Sequence, residues 1–437
     1  MDTRTLQTPA SFRVRAGRRL RIGVLVDLPL GTSAGGHVRC WERLAEAACD
    51  FAGEIDLTVH FMGTETARRE LSRTVRYRIE PPVFSTSRLP FLSHVPDHTD
   101  LAPWHPRLAR HLSDYDVIHS TDAYFAYART AMAFGRRHHI PIVNSVHTNT
   151  PEYARLFTTQ TVERLFGQSL VSSVLLSRLK VARRMEHRML RQLAAYQRQC
   201  AFVLVSRPEQ LGDARAMSGE RAGLLRRGID HVLFQPARRD RDWLWRRYGI
   251  PPGRLVILAA GRLNRGKNIL LLAEAVDLVL RQGVDAHLVC AGDGEDRAAV
   301  VRRLGRRSTC PGSVAPAELA RLYASADLFA LPSRIEEAAN VLLEALASGL
   351  PVLVARDSGM GRSVRDPETG RVLPGADPAS WRDALAELAA HPARRLAMAR
   401  AARAYAESSV PSWPQVLAED LLPRWQEAAR QQRPPGA

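Results

Sequence analysis

Arg262 and Lys267 in the segment GRLNRGKN (261–268), and Glu336 and Glu344 in PSRIEEAANVLLEALASGLPV (332–352), are the residues whose types and spacing could do chemistry. The cations follow an apolar run, 255–260, at a turn that leads into a helix near Asn268. Such a helix start also aims free N–H groups and a positive dipole end outward. Phosphate oxygens need cations, and sugar or ribose hydroxyls need carboxylate acceptors. The four groups together read as a site for a sugar nucleotide. Composition sharpens the signal: of 62 basic residues only Lys180 and Lys267 are lysine.

Glu344 is the sharper carboxylate. Its helix, NVLLEALASG (340–349), is apolar apart from Asn340, Glu344 and Ser348 and stops at Gly349-Leu350-Pro351. An ionised group there needs partners, and a vicinal ribose diol offers two donors. Glu336, just before the helix and near its positive end, could hold hydroxyls of the sugar, with Glu337 as the alternative. Backbone at Ala338, Ala339, Asn340 and Val341 offers further phosphate or sugar contacts. In the first half, Gly35 and Gly36 in TSAGGH (32–37) would let backbone approach a diphosphate, although a Gly-Gly pair is by itself a turn. His147 ends a strand and opens HTNTPEYARLF, and His119 and Asp122 in VIHSTDAY form a weaker candidate pair. The simpler accounts stay open: a solvated basic loop for Arg262, a wet helix edge for Glu344, a structural histidine at 147. No Ser-His-Asp order, metal-ligand spacing or Walker sequence is present.

Apolar runs alternating with helical patterns position these groups, which is the α/β signature. Strands are predicted at 20–26, 55–61, 117–119, 142–147 and 201–205, then at 255–260, 286–290, 328–331 and 351–354. A helix is expected over 38–51, and a long basic helical segment over 161–198. Pro236, Pro251, Pro252 and the run Arg238–Arg241 break the periodicity between the halves. Both halves read as doubly wound sheets, whose ligands sit at the carboxyl ends of strands. Gly36, His147, Arg262 and Glu336 all follow strands, so two such domains face to face would gather them in one cleft.

At 437 residues two domains are the default. The five cysteines are odd in number, scattered and without CxxC spacing, which argues against a disulfide framework or structural zinc and for a reducing compartment. No apolar run approaches a membrane span, and the N-terminus lacks a signal-peptide core, so a cytoplasmic protein is expected. The net charge of +17 fits nucleic acid, an anionic membrane or an anionic substrate. Basic residues spread along the whole chain without a nucleic-acid motif speak against the first. The arginines of 161–198 (Arg178, Arg183, Arg184, Arg188, Arg191), mixed with apolar residues, suit either an interfacial helix on anionic lipid or a helix packed on its own domain.

Taken together, the AGGH loop, SVHTNTPEY (145–153), RRGIDHVLFQP (226–236), GRLNRGKN, AGDG (291–294) and the acidic segment resemble the retaining glycosyltransferases of the GT-B architecture, family 4. The resemblance implies two Rossmann-like domains, an acceptor-side one over 18–208 and a nucleotide-sugar-binding one over 209–410, with a C-terminal helix within 411–433 crossing back to the first. It implies that Arg262 and Lys267 hold the donor diphosphate, Glu344 the ribose, Glu336 the sugar hydroxyls and Gly36 the backbone near the phosphates, with His147 at the reacting face. The implied reaction moves a sugar from a UDP- or GDP-sugar to a hydroxyl acceptor with retention, without metal or other cofactor. The departing phosphate would take the acceptor proton. The chain departs from the family pattern at Ala338-Ala339, where an aromatic-Gly pair is usual, and at Gly359-Met360-Gly361, where the Gly-Gly turn is broken. Both departures fall near the expected donor sugar. The stretch HTNTPEYARLF is similar to that of members building glycolipids. Alternatives are a sugar-nucleotide epimerase or phosphorylase on the same architecture, or a non-catalytic basic protein binding membrane or nucleic acid.

Overall fold

A computed structural model describes residues 18–31, 35–89, 98–167, 169–333, 340–358 and 360–431. Eight strands form the first sheet: β1 (Leu20–Pro29), β2 (Ile55–Met62), β3 (Ala67–Glu70), β4 (Val75–Glu80), β5 (Val117–Ser120), β6 (Ile142–Val146), β7 (Phe202–Val205) and β8 (Ala222–Leu224). Their order is β3-β4-β2-β1-β5-β6-β7-β8, parallel throughout except for the antiparallel edge strand β3. The second sheet holds β9 (Leu255–Ala260), β10 (Ala286–Ala291), β11 (Ser308–Gly312), β12 (Leu328–Leu331), β13 (Val352–Ala355) and β14 (Gly370–Leu373), ordered β11-β10-β9-β12-β13-β14 and parallel throughout.

Parallel strands covered by helices on both faces must be apolar on both faces, which is why they read as unbroken hydrophobic runs. Alternate residues feed opposite cores. In β1, Ile22, Val24 and Val26 join one cluster and Leu25 another. In β9, Val256 and Leu258 face one core and Leu255, Ile257 and Ala259 the other. Strand order reverses beside β1 and beside β9, and these switch points open crevices at the strands' carboxyl ends.

Three differences from the sequence reading have local causes. The first sheet runs on to Leu224, beyond residue 208, because β8 is an Ala-Gly-Leu strand too short to show periodicity. β3 and β4 are rich in charge, and their pattern hides them. The segment 161–198 is not one helix. The helix Thr150–Phe166 stops at Gly167, at φ 59°, and a second helix, Val181–Gln197, begins after Lys180, at φ 49°. Backbone in that left-handed region cannot continue a right-handed helix.

The last helical turns, Trp413–Val416, Leu417–Leu421 and Leu422–Gln431, leave the second domain and fill the core of the first. Trp425 is fully buried there among residues of β1, β2 and the helix Gly36–Ala48. Its truncation to alanine is expected to destabilise the first domain by about 3–5 kcal/mol, the cost of emptying an aromatic site. Urea denaturation of the full chain, followed by far-UV circular dichroism, measures the shift.

Candidate functional site

One cavity of 480 Å³ lies where the two domains meet, lined by Gly35, Gly36, His37 and His147 of the first and by Arg262 and Lys267 of the second. Gly35 and Gly36 start the helix Gly36–Ala48 directly after the loop from β1. A Cβ at Gly35 would sit 3.7 Å from an Arg262 guanidinium nitrogen, and Asn340 Nδ2 donates to the Gly36 carbonyl at 3.5 Å. The two domains therefore touch directly at the start of this helix.

Arg262 and Lys267 are held by backbone. Asn264 accepts from the Lys267 amide at 3.1 Å and caps the short turn Arg265–Lys267, and Asn268, at φ 54°, redirects the chain into the helix Ile269–Arg281. The Arg262 loop is clamped from the β10 side: Leu263 N donates to Asp293 O at 2.9 Å and Asp296 N to Leu263 O at 3.0 Å. Gly292 and Gly294 stand at φ 150° and 156°, and a methyl group at either would strike the carbonyl of Gly261 or Leu263. That is the physical content of the AGDG motif.

His147 follows β6 and is buried. Its ring stacks on His37 with centroids 4.4 Å apart. Burial, then the nearby His37 and Arg227, hold His147 well below the usual histidine range, and burial brings His37 down to about 3. Both rings are therefore neutral at physiological pH. His119, behind them, is also pushed by burial to about 3.

Glu344 sits in the helix Asn340–Ala347, and its Oε2 is covered without a hydrogen-bond partner among the described residues, as are Ser348 Oγ and Asn340 Oδ1. Burial raises its carboxyl to about 7, partly offset by the Tyr323 hydroxyl and by Arg43 across the cleft. The residue as a whole is half-buried, with Oε2 on its covered side. Neither Glu344 nor Val341 lines the 480 Å³ cavity itself. Val341 packs on the second-domain core, and its carbonyl accepts from Tyr323 at 3.2 Å. Glu336, Glu337, Ala338, Ala339 and Gly359 lie outside the described residues, as does 32–34 of the glycine loop.

Sequence reasoning missed Asp27 and Arg227. Asp27 ends the apolar part of β1 and accepts from Tyr127 N at 3.0 Å, while Asp122 accepts from Tyr124 N at 2.7 Å and Phe125 N at 3.0 Å. Asp27 thus holds the first turn of the helix Ala126–His138 and Asp122 the turn that leads into it; both line the cavity, each with a second oxygen, Asp27 Oδ1 and Asp122 Oδ2, lacking a partner among the described residues. Burial, and for Asp27 also the neighbouring Asp122, raises both carboxyls above the ordinary range. A carboxylate closing a buried strand was the available signal. Arg227 is buried in the cavity wall, but one arginine among so many carried no mark in sequence. No group of three or more His, Cys, Asp or Glu suited to a metal exists among the described residues.

Gly292→Ala should destabilise the second domain by about 1–3 kcal/mol, the strain of forcing a side chain into that backbone and against a carbonyl. Thermal unfolding against the unsubstituted chain checks it, and an unchanged midpoint would remove the clamp from the account.

Residues 254–391 match the family model described as Glycosyl transferases group 1. The D-inositol 3-phosphate glycosyltransferase of Segniliparus rotundus is 34% identical over 212 residues, 46% of each chain. The chain spans about half the length of the curated relatives it matches first. Among solved structures, sucrose-phosphate synthase from Thermosynechococcus elongatus superposes with a TM-score of 0.66 at 18% identity, covering 94% of this chain and 99% of that one. HepE from Anabaena, in complex with UDP and glucose, gives 0.61 at 16% identity over 94% and 99%. With two Rossmann-like domains closing on one cleft, the chain has the GT-B fold, and its residues 254–391 are similar to the group 1 glycosyltransferases.

Proposed function

We propose that this chain transfers a sugar from a nucleoside diphosphate sugar to a hydroxyl acceptor, with retention of configuration. The observation that carries the reading is the pair Arg262 and Lys267 on the cavity wall opposite Gly35, Gly36 and His147. Two fixed cations beside a helix start stabilise the charge that develops on a departing diphosphate. Relatives named for glycosyl transfer, and the HepE complex with UDP and glucose, support the donor class. In this reading Glu344 Oε2 accepts from the ribose and Asn340 contributes beside the phosphates. Glu336 and Ala339 take the roles that the family pattern assigns them. With no general base required, the leaving phosphate oxygen removes the acceptor proton on the same face of the sugar. Arg262 and Lys267 supply the countercharge, so we expect turnover to survive chelation.

The first-domain end of the cavity suits an acceptor with both hydroxyls and an apolar part. Asp27 Oδ1, Asp122 Oδ2 and the Tyr124 hydroxyl offer partners to hydroxyls, while Tyr153, Phe157, Met189 and Leu193 wall the space with hydrocarbon and ring. A lipid or lipid-linked acceptor fits that lining. Leu165, Leu170 and Val171 are 59%, 86% and 51% exposed, close in sequence to the exposed Arg178, Arg183, Arg184, Arg188 and Arg191. This supports peripheral contact with an anionic, cytoplasm-facing membrane surface. No helix among the described residues is long and apolar enough to cross a membrane.

Incubating the chain with UDP-, GDP- and ADP-sugars, with and without candidate acceptors, tests the reading. Acceptor-dependent sugar transfer supports it, whereas donor conversion without acceptor points to an epimerase. Lys267→Ala should lower turnover by about two orders of magnitude, the scale of one transition-state charge contact. The Glu344 assignment predicts a pH effect. Its carboxyl, raised to about 7 in the free chain, becomes ionised when two ribose hydroxyls donate to it. Nucleotide binding then releases a proton, and affinity rises from about pH 6 to about pH 8. Calorimetry in buffers of different ionisation enthalpy measures the release, which Glu344→Gln should abolish.

A further inference from the structure

A chain of buried polar groups behind the cavity fixes which nitrogen of His147 carries its proton. Trp425, on the C-terminal helix, donates its indole N–H to His119 Nδ1 at 2.9 Å. An indole nitrogen only donates, so His119 Nδ1 is the acceptor and its proton sits on Nε2. That proton faces Ser145 Oγ at 2.8 Å, and Ser145 Oγ in turn lies 2.7 Å from His147 Nε2. The serine hydroxyl therefore accepts from His119 and donates to His147. Trp41 donates its own indole N–H to the same His147 Nε2 at 3.2 Å. Two routes thus make Nε2 of His147 an acceptor, and its proton resides on Nδ1.

Nδ1 faces Arg227 NH1 at 3.1 Å. A guanidinium has no acceptor, so two donors confront each other across that contact. The opposite tautomer would satisfy Arg227, but it would set the fully buried Trp41 indole against a second N–H and leave the Ser145 hydroxyl proton without an acceptor among the described residues. Trp41 is locked in the core, whereas Arg227 borders the cavity. The rigid partner prevails. Arg227 is itself 8% exposed, and its Nε has no partner among the described residues. Buried donors facing one another, and one left over, require an acceptor-only atom.

We infer that Arg227 and the Nδ1–H of His147 form a binding site for a phosphoryl oxygen on the first-domain wall of the cavity, opposite Arg262 and Lys267. Trp41, Ser145, His119 and Trp425 are positioning residues that keep His147 a donor. The oxygen belongs either to the diphosphate of the donor or to a phosphate on the acceptor. The site rests on the glycosyl-transfer reading only for the source of that oxygen.

Calorimetric titration of the full chain separates the sources, with UDP, GDP and ADP in one arm and D-inositol 3-phosphate in the other. Arg227→Gln is expected to weaken binding in one arm by roughly tenfold to a hundredfold, as for a lost hydrogen bond to a charged group. Weakening in the nucleotide arm assigns the donor, and in the other arm a phosphorylated acceptor. If Lys267→Ala weakens nucleotide binding while Arg227→Gln changes neither arm, this site falls and the glycosyl-transfer reading stands. Failure of the unsubstituted chain to bind any nucleotide sinks both. Because a buried arginine can matter for folding, the unsubstituted chain provides a second measurement. Long-range nitrogen–proton correlation spectra of histidine-labelled protein, with His147 assigned by His147→Gln, should show the proton on Nδ1. A proton on Nε2 overturns the inference.

Discussion

A parallel sheet must be wound with crossovers, and every loop leaving a strand's carboxyl end then opens along one edge. In this protein two such edges face each other, and the chemistry-bearing groups are those the constraint delivers. Asp27 ends the buried run of β1, Asp122 follows β5, His147 follows β6 and Arg262 follows β9, and all four line one cavity. None is close to another in sequence. Convergence comes from topology, and the individual loops only refine it, Gly292 and Gly294 by letting one loop lie against another.

Polarity is divided between the two walls. The second domain contributes two cations and a helix start, which suit an anionic ligand. The first domain contributes two carboxyls with free oxygens, neutral imidazoles and an aromatic and methionine-lined recess. Burial keeps His37, His119 and His147 uncharged, so among the described residues lining the cavity the first domain adds Arg227 alone to the positive charge already opposite. An imidazolium there would repel the guanidinium at short range.

Much of this was legible in the residues. Buried parallel strands are continuous apolar runs, so β1, β2, β9 and β12 fall where hydrophobicity predicts them. Arg262, Lys267 and His147, each a polar group set against an apolar element in the sequence, all line the cavity, whereas Glu344 does not. The rest was hidden for reasons that are also physical. β3 and β4 lie at the sheet margin, where charge is tolerated, and β8 is too short for a period to register. Gly167 and the left-handed Lys180 divide a segment whose composition reads as one helix. Arg227 differs from its many neighbours only in burial, which no local pattern encodes.

The C-terminal helix carries a consequence for biosynthesis. Residues 413–431 supply Trp413, Leu417, Leu421 and Trp425 to the interior of the domain that is translated first. A ribosome that has finished that domain has not yet made part of its interior, so the nascent sheet carries an unfilled apolar furrow while the whole second domain is synthesised. Such a chain stays sticky until its last helix emerges, and its dependence on holding chaperones should track the speed of elongation.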